Sequence, residues 1–219
     1  MTTKKKIIFC DFDGTITVND NIVAIIKHFQ PDGWEELVNK TISTEISIKE
    51  GVGALFRLLP TSMKKEVIEF GISNARIREG FSEFVQFCKE QNVEFYVTSG
   101  GIDFFVYPIL ARYDIAQDHI YCNKSDFTGE RIEILWPHPC DEHCSNYCGM
   151  CKPTIMRQFD STIYERIIIG DSVTDFEGAK LADQVFSRSH LTEKCRELGI
   201  AHTEFTTFHD IIEAMKQKG

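Results

Sequence analysis

The chain has 219 residues, 42% of them hydrophobic, which is enough for one substantial core with a smaller insert. Its formal net charge of -9 argues against a nucleic-acid partner, whose phosphates need a basic face, and leaves a small anionic substrate open to a metal and a few local donors. No apolar run approaches the roughly 20 residues of a membrane span, and the run after MTTKKK is too short for a signal peptide. The expected setting is therefore cytoplasmic, without a membrane partner, where the 8 cysteines are expected as thiols or metal ligands.

Lys5–Cys10 predicts a short buried strand, stopped by Asp11, Asp13 and Gly14. Two carboxylates so close repel and raise each other's pKa, so a cation is expected beside them, or one of them serves as a neutral acid. Residues 19–76 then read as a helical insert of four short helices. Ile22, Val23, Ile25, Ile26 and Phe29 follow a helical period, Pro31-Asp32-Gly33 and Pro60 break it, and Ser47 with Glu50 reads as a capping box. From Glu79 strands and helices alternate. A helix carries Phe81, Phe84, Val85 and Phe87, and a strand over Val93–Val97 ends in Thr98-Ser99-Gly100-Gly101. A helix over Phe104–Tyr113 and short strands turning at Thr128-Gly129 follow, then a Cys/His-rich loop from His138 to Cys151. Lys152 opens a helix with Pro153 in its first turn, where proline is tolerated. Ile167–Ile169 is a strand ending in Gly170-Asp171-Ser172, followed by a helix over Val173–Ala182, a last strand over Gln184–Phe186, and helices over Leu191–Leu198 and Phe208–Lys218.

That alternation predicts an α/β fold: a Rossmann-like, mostly parallel sheet formed by residues 1–18 and 77–219, with residues 19–76 as a helical cap inserted after the first strand. Such sheets bind ligands at the carboxyl ends of their strands. Asp11 with Asp13, Thr98 with Ser99, and Asp171 all stand at strand ends, and neighbouring strands would bring them into one site.

DFDGT, VTSGG, Lys152 and GDSVTD, in this order, resemble the four motifs of the haloacid-dehalogenase-like phosphohydrolases. The resemblance covers about residues 5–20 and 79–190 and implies an Mg²⁺-dependent phosphatase acting through an aspartyl phosphate. It makes Asp11 the nucleophile and Asp13 the acid and base. Asp11, Asp171 and the backbone carbonyl of Asp13 become the Mg²⁺ ligands. Ser99, Gly100 and Lys152 hold the substrate phosphate, with the Gly100 and Gly101 amides expected at a helix N-terminus. Asp175 supports Lys152 or the metal shell. The chemistry agrees with the residue types: a carboxylate gives an acyl phosphate that water cleaves, and a hard cation must sit between an anionic nucleophile and an anionic phosphate. Each residue also has a bland reading, as a turn, a helix cap or a surface lysine; the full set in one chain disfavours it.

The helical insert and VTSGG resemble the phosphoserine-phosphatase branch, in which a small cap closes over a small phosphorylated metabolite. The loop HPCDEHCSNYCGMCKP, just before Lys152, resembles the branch of the methionine-salvage phosphatases and the phosphoethanolamine/phosphocholine phosphatases; the compact chain is nearest the salvage group, whose substrate is 2-hydroxy-3-keto-5-methylthiopentenyl-1-phosphate. Phosphoserine or phosphoethanolamine is the alternative substrate; an amino group would call for a cap carboxylate such as Glu35, Glu36 or Glu45. A metal-binding interaction module on a vestigial core is the alternative of another class. Cys140, Cys144, Cys148 and Cys151 leave three readings open: a structural Zn²⁺ site, disulfides, or free packed thiols. Oligomeric state is not legible.

Overall fold

A computed structural model describes residues 4–217. Met1–Thr3 of the basic start and Lys218 of the expected last helix lie outside them. Seven strands form one sheet in the order β4-β3-β2-β1-β5-β6-β7. They are β1 (Lys5–Cys10), β2 (Glu94–Ile102), β3 (Ile120–Asp126), β4 (Glu133–Leu135), β5 (Tyr164–Gly170), β6 (Gln184–Ser187) and β7 (Thr203–Glu204). All pairings are parallel except β3 with β4. The two-residue β7 has no counterpart in the sequence reading; it is too short to carry a period.

Strand alternation divides the core. Ile8 and Cys10 of β1 join Val97, Ile167 and Ile169 in a cluster on one face, while Ile7 and Phe9 join Tyr96, Ile168 and Val185 on the other. A sheet covered on both faces needs apolar residues at every position, which is why Ile7-Ile8-Phe9 and Ile167-Ile168-Ile169 are uninterrupted.

Four helices lie between β1 and the next core helix: α1 (Asn21–Phe29), α2 (Trp34–Ile42), α3 (Ile48–Arg57) and α4 (Lys64–Ser73). Asp20 caps α1 by accepting from the Val23 N–H, and Ser47 with Glu50 forms the expected capping box on α3. The insert leaves and rejoins the core at one place, an antiparallel bridge between Thr17 and Ile77 flanked by Val18 N–H to Arg76 O (2.7 Å) and Arg78 N–H to Ile16 O (2.8 Å).

The core helices are α5 (Phe81–Glu90), α6 (Asp103–Leu110), α7 (Lys152–Arg157), α8 (Phe176–Ala179), α9 (Ser189–Leu198) and α10 (Phe208–Gln217). Three boundaries differ from expectation. The second strand runs on to Ile102, with a register shift between Thr98 and Ile102, so Ser99 and Gly100 belong to a bulged strand rather than to a helix start. The next helix ends at Leu110, with Pro108, which has no N–H to donate, inside it. The segment after Asp171 is broken into a tight turn at Val173–Asp175 and the short α8, because Asp175 turns its side chain back to cap the turn. Among the described residues no helix is long and apolar enough to cross a membrane.

Candidate active site

Strand register delivers the site. Cys10 lies opposite Val97 on one side and Ile169 on the other, and the Asp11 N–H donates to the Ile169 carbonyl at 2.9 Å. Asp11, Thr98 and Gly170 therefore come level at the carboxyl edge of three adjacent strands.

Carboxylate oxygens of Asp11, Asp171 and Asp175 lie within 4.8 Å of one another. Lys152 is buried among them at 2% exposure; its Nζ donates to Asp11 Oδ1 at 2.5 Å, to Asp175 Oδ1, and to Thr174 Oγ1 at 3.3 Å. The reading of Lys152 as an ordinary surface lysine is thereby excluded. Burial would lower its pKa, but Asp11 and Asp175 outweigh that and hold it above the usual value, so it stays charged. One cation for three carboxylates is a deficit. Burial raises Asp11 well above the ordinary range despite Lys152, and burial with the Asp175 charge lifts Asp171 to about 6.

The oxygens differ in what they have left to give. Asp175 is spent: Oδ1 holds Lys152, and Oδ2 accepts from the backbone N–H groups of Asp171 and Ser172, each at 3.1 Å. Its side chain thus bridges Lys152 Nζ and the backbone of the turn after Gly170. Asp171 accepts at Oδ1 from Thr15 Oγ1 (3.0 Å), and Asp11 Oδ2 is buried with no hydrogen-bond partner among the described residues. An orphaned carboxylate oxygen beside a second carboxylate of raised pKa fits a hard divalent cation such as Mg²⁺. The turn that carries them forward is equally tight. Gly14 has φ +82°, and a Cβ there would stand 2.4 Å from Asp171 Oδ2, so only glycine fits.

Asp13 stands apart from this cluster. Its Oδ1 accepts from the Asn21 N–H (2.9 Å) and from Asn21 Nδ2 (2.7 Å), and desolvation with the nearby Asp20 charge lifts it to about 7. Its other oxygen approaches Gly101, where a Cβ would meet Asp13 Oδ2 at 2.8 Å and Ser99 Oγ at 2.9 Å. Ser99 is buried and accepts the Gly101 N–H at 2.8 Å. This corrects one expectation: the Gly101 amide is committed to Ser99 and the local backbone is extended, so Gly101 is no free donor at a helix N-terminus. The Ser99 hydroxyl hydrogen remains to be given, and the Cα of Gly100 faces open space.

Three partners escaped the sequence reading. Asn21, the first residue of α1, is 1% exposed and is, among the described residues, the one side chain bonded to Asp13. Thr15, the last residue of DFDGT, holds Asp171. Arg78, 6% exposed, braces the turn by donating to the Gly14 and Thr15 carbonyls, each at 2.7 Å. A polar residue at the first position of an amphipathic helix was a signal for Asn21; nothing local marks Arg78. Of the carboxylates singled out in the helical insert, Glu35, Glu36 and Glu45 are all exposed, and Glu36 is paired with Lys40.

The Cys/His loop also closes on itself. The sulfurs of Cys140, Cys144, Cys148 and Cys151 lie within 4.8 Å of one another and are unbridged, an arrangement compatible with a metal site. Neither loop histidine belongs to the group: His138 packs edge-on against Tyr121, and His143 is exposed beside Glu142.

The haloacid dehalogenase-like hydrolase model matches residues 8–180. The chain is 55% identical over 215 residues to the 2-hydroxy-3-keto-5-methylthiopentenyl-1-phosphate phosphatase of Brevibacillus brevis, covering 98% of this chain and 97% of that one. It is 51% identical to the enzyme of the same name from Geobacillus kaustophilus, with the same coverage. Among solved structures it resembles a substrate-bound phosphoserine phosphatase complex, with a TM-score of 0.72 at 18% identity over 97% of this chain and 99% of that one. A phosphoserine phosphatase from T. onnurineus gives a TM-score of 0.71 at 15% identity over 97% and 95%. At these identities the structural likeness speaks for the fold.

Proposed function

The chain belongs to the haloacid dehalogenase-like hydrolases and is a phosphoric monoester hydrolase, and from that premise we propose that it hydrolyses 2-hydroxy-3-keto-5-methylthiopentenyl-1-phosphate in methionine salvage, in the cytoplasm. The observation that carries the chemistry is the pairing of a buried Asp11, partnered by Lys152 and left with one free oxygen, with a second carboxylate two residues on, Asp13, held by Asn21 and raised to about 7 by burial. The relatives that share more than half of this sequence over nearly its full length support the substrate.

Asp11 attacks phosphorus while the bond from phosphorus to the leaving oxygen breaks, and protonated Asp13 gives its proton to that oxygen. Asp13, now a carboxylate, takes a proton from the water that attacks the aspartyl phosphate. The bond between Asp11 and phosphorus breaks, inorganic phosphate leaves, and both carboxyls return to their starting state. A group with a pKa of about 7 suits both halves of this cycle, because it gives and takes a proton with little driving-force penalty near neutral pH. Asn21 fixes which oxygen of Asp13 faces the cleft. Lys152 and the Ser99 hydroxyl meet the phosphate oxygens at the rim beside Gly100.

Mg²⁺ would be held by Asp11 and Asp171, with the Asp13 backbone carbonyl as a further oxygen ligand, and would supply charge neutralisation between nucleophile and phosphate. Zinc is the softer metal we assign to the four thiolates. Residues 19–76 act as the cap, closing over the small substrate and excluding water.

Phosphoserine and phosphoethanolamine are the competing substrates. Side-by-side turnover of the salvage substrate, phosphoserine, phosphoethanolamine and phosphocholine, with Mg²⁺ and with EDTA, tests the reading. The salvage substrate is expected to have the highest kcat/KM, and EDTA to abolish turnover. Preference for an amino-bearing substrate overturns the substrate, and Mg²⁺-independent or absent turnover of all four overturns the chemistry.

A further inference from the structure

The segment from Pro137 to Cys151 holds no helix or strand, and most of its residues are exposed or half-buried. A loop of that length in a compact domain needs a fastener. Apolar packing does not supply it, since only Met150 and Cys151 at its end are buried apolar residues. Four sulfurs gather there. Cys144 and Cys148 are 3.9 Å apart at Sγ, where a disulfide needs about 2.05 Å. A tetrahedron with metal–sulfur bonds of about 2.3 Å has edges of about 3.8 Å.

From this geometry we infer that Cys140, Cys144, Cys148 and Cys151 form a closed structural zinc site that positions Lys152. Four protein sulfurs complete a tetrahedral shell, which leaves no open coordination place and so no catalytic role for the metal. The surroundings are those of a thiolate site. The Cys148 N–H donates to Cys140 Sγ at 3.4 Å. Arg157 of α7 clamps Asp141 of the loop through two bonds, Nε to Oδ2 at 2.8 Å and Nη2 to Oδ1 at 2.5 Å. That bidentate clamp orients one stretch of the loop, and places a positive charge beside a cluster that would carry a net charge of about -2 with zinc bound.

Cys151 is fully buried, its N–H donates to the His138 carbonyl at 2.9 Å, and the next residue is Lys152. Zinc bound at Cys151 fixes the backbone from which the lysine reaches Asp11 and Asp175. A lysine side chain carries about 2 kcal/mol of rotamer entropy, so a fixed root limits what must be ordered around the phosphate. This second half of the inference rests on the role proposed for Lys152; the zinc site itself does not.

Metal analysis of the purified full-length chain, grown with zinc in the medium, is the direct test. One zinc per chain is expected, retained under EDTA that removes Mg²⁺ and released by an organomercurial. Replacement by Co²⁺ should give the charge-transfer and d–d bands of tetrahedral cobalt thiolate. No metal with 8 free thiols, a disulfide in the cluster, or iron in place of zinc overturns the site. Cys144→Ser, the milder change at a half-buried position, should lose zinc. It should also lower kcat about tenfold to a hundredfold while the Mg²⁺ activation constant stays within about twofold, since a misplacement of about 1 Å costs on that order. Zinc loss with unchanged kcat overturns the positioning role, and lost Mg²⁺ activation in a folded variant would make the loop part of the catalytic metal site. If Cys144→Ser does not fold, wild-type stoichiometry and the cobalt spectrum still decide the site, and a Cys148→Ser chain decides the kinetics. Zinc present without Mg²⁺-dependent turnover would refute the phosphatase reading and leave the zinc site standing.

Discussion

Replacing Lys152 by methionine keeps the length and apolar stem of the side chain and removes its charge. In the native chain Nζ lies between Asp11 and Asp175, with the Asp171 carboxylate in the same group of oxygens within 4.8 Å. Lys152→Met leaves all three without that cation, and the two it pairs with directly, Asp11 and Asp175, are buried. Removing one partner of a buried pair costs about 3–5 kcal/mol, because the penalty is that of the charge left behind. For a chain of this size about 1 kcal/mol corresponds to about 2–4 °C in Tm, so the metal-free variant should melt about 6–20 °C below wild type. Saturating Mg²⁺ should return part of that difference, since a divalent cation neutralises the same carboxylates. Turnover should fall about 10²–10³-fold, the scale of losing one preorganised electrostatic contact. Thermal melts in EDTA and in Mg²⁺, with kcat on one substrate, measure both effects. Adding Asp175→Asn to Lys152→Met should recover stability, because it removes one of the stranded charges. A drop of less than about 2 °C with kcat intact would refute the idea that this lysine neutralises the cluster.

Asp11→Asn should abolish turnover, by about 10⁴-fold or more, in a chain that stays folded, because an amide is a near-isostere and a poor nucleophile; wild-type-like turnover would sink the covalent mechanism. Asp13→Asn should slow hydrolysis about 10²–10⁴-fold and prolong the aspartyl phosphate, with an aryl phosphate of good leaving group suffering least in the first step. Rapid-quench trapping with an unchanged intermediate lifetime would count against Asp13 as the base. The metal-free chain should also lose stability as pH rises. The folded pKa of Asp171 is raised, from 3.8 to about 6, chiefly by burial. Its stabilising contribution is therefore complete below about pH 4 and lost as pH climbs through about 6, a change on the order of 3 kcal/mol. Urea denaturation in EDTA at several pH values, compared with Asp171→Asn, isolates this. The decline should be smaller in the variant and in Mg²⁺, and a wild-type chain that gains stability relative to Asp171→Asn over that window contradicts the assignment.

Much of this molecule is legible in its sequence. The apolar runs leading into Asp11, Ser99 and Asp171 each carry their own strand signal, and those before Asp11 and Asp171 their own stop (the second strand runs on past Ser99 to Ile102), and these depend on residues within a few positions. The same holds for the capping box at Ser47 and for the breaks at Pro31 and Pro60. Alternation then implied that the strand ends meet, and the β2-β1-β5 neighbourhood brings them together. What near neighbours in sequence do not carry is what depends on distance along the chain; Lys152 is placed at the site by the family resemblance and not by its own surroundings. Lys152 and Asp11 are 141 residues apart, and only the packing of α7 under the sheet turns a lysine at a helix start into a buried counter-ion. Arg78 reaches the Gly14 and Thr15 carbonyls from 64 and 63 residues away, and its neighbours in sequence give no hint of it. The Gly101 amide, counted locally as a free donor, is consumed because the strand bulges there and folds Ser99 back onto it. The cysteine spacing alone left zinc, disulfide and free thiol open, since sulfurs up to 11 residues apart can diverge or converge along an irregular loop. Backbone preference is set by near neighbours and can be read from them; the pairing of buried charges and sulfurs is set by which surfaces meet when the core forms, and that the tertiary structure alone decided.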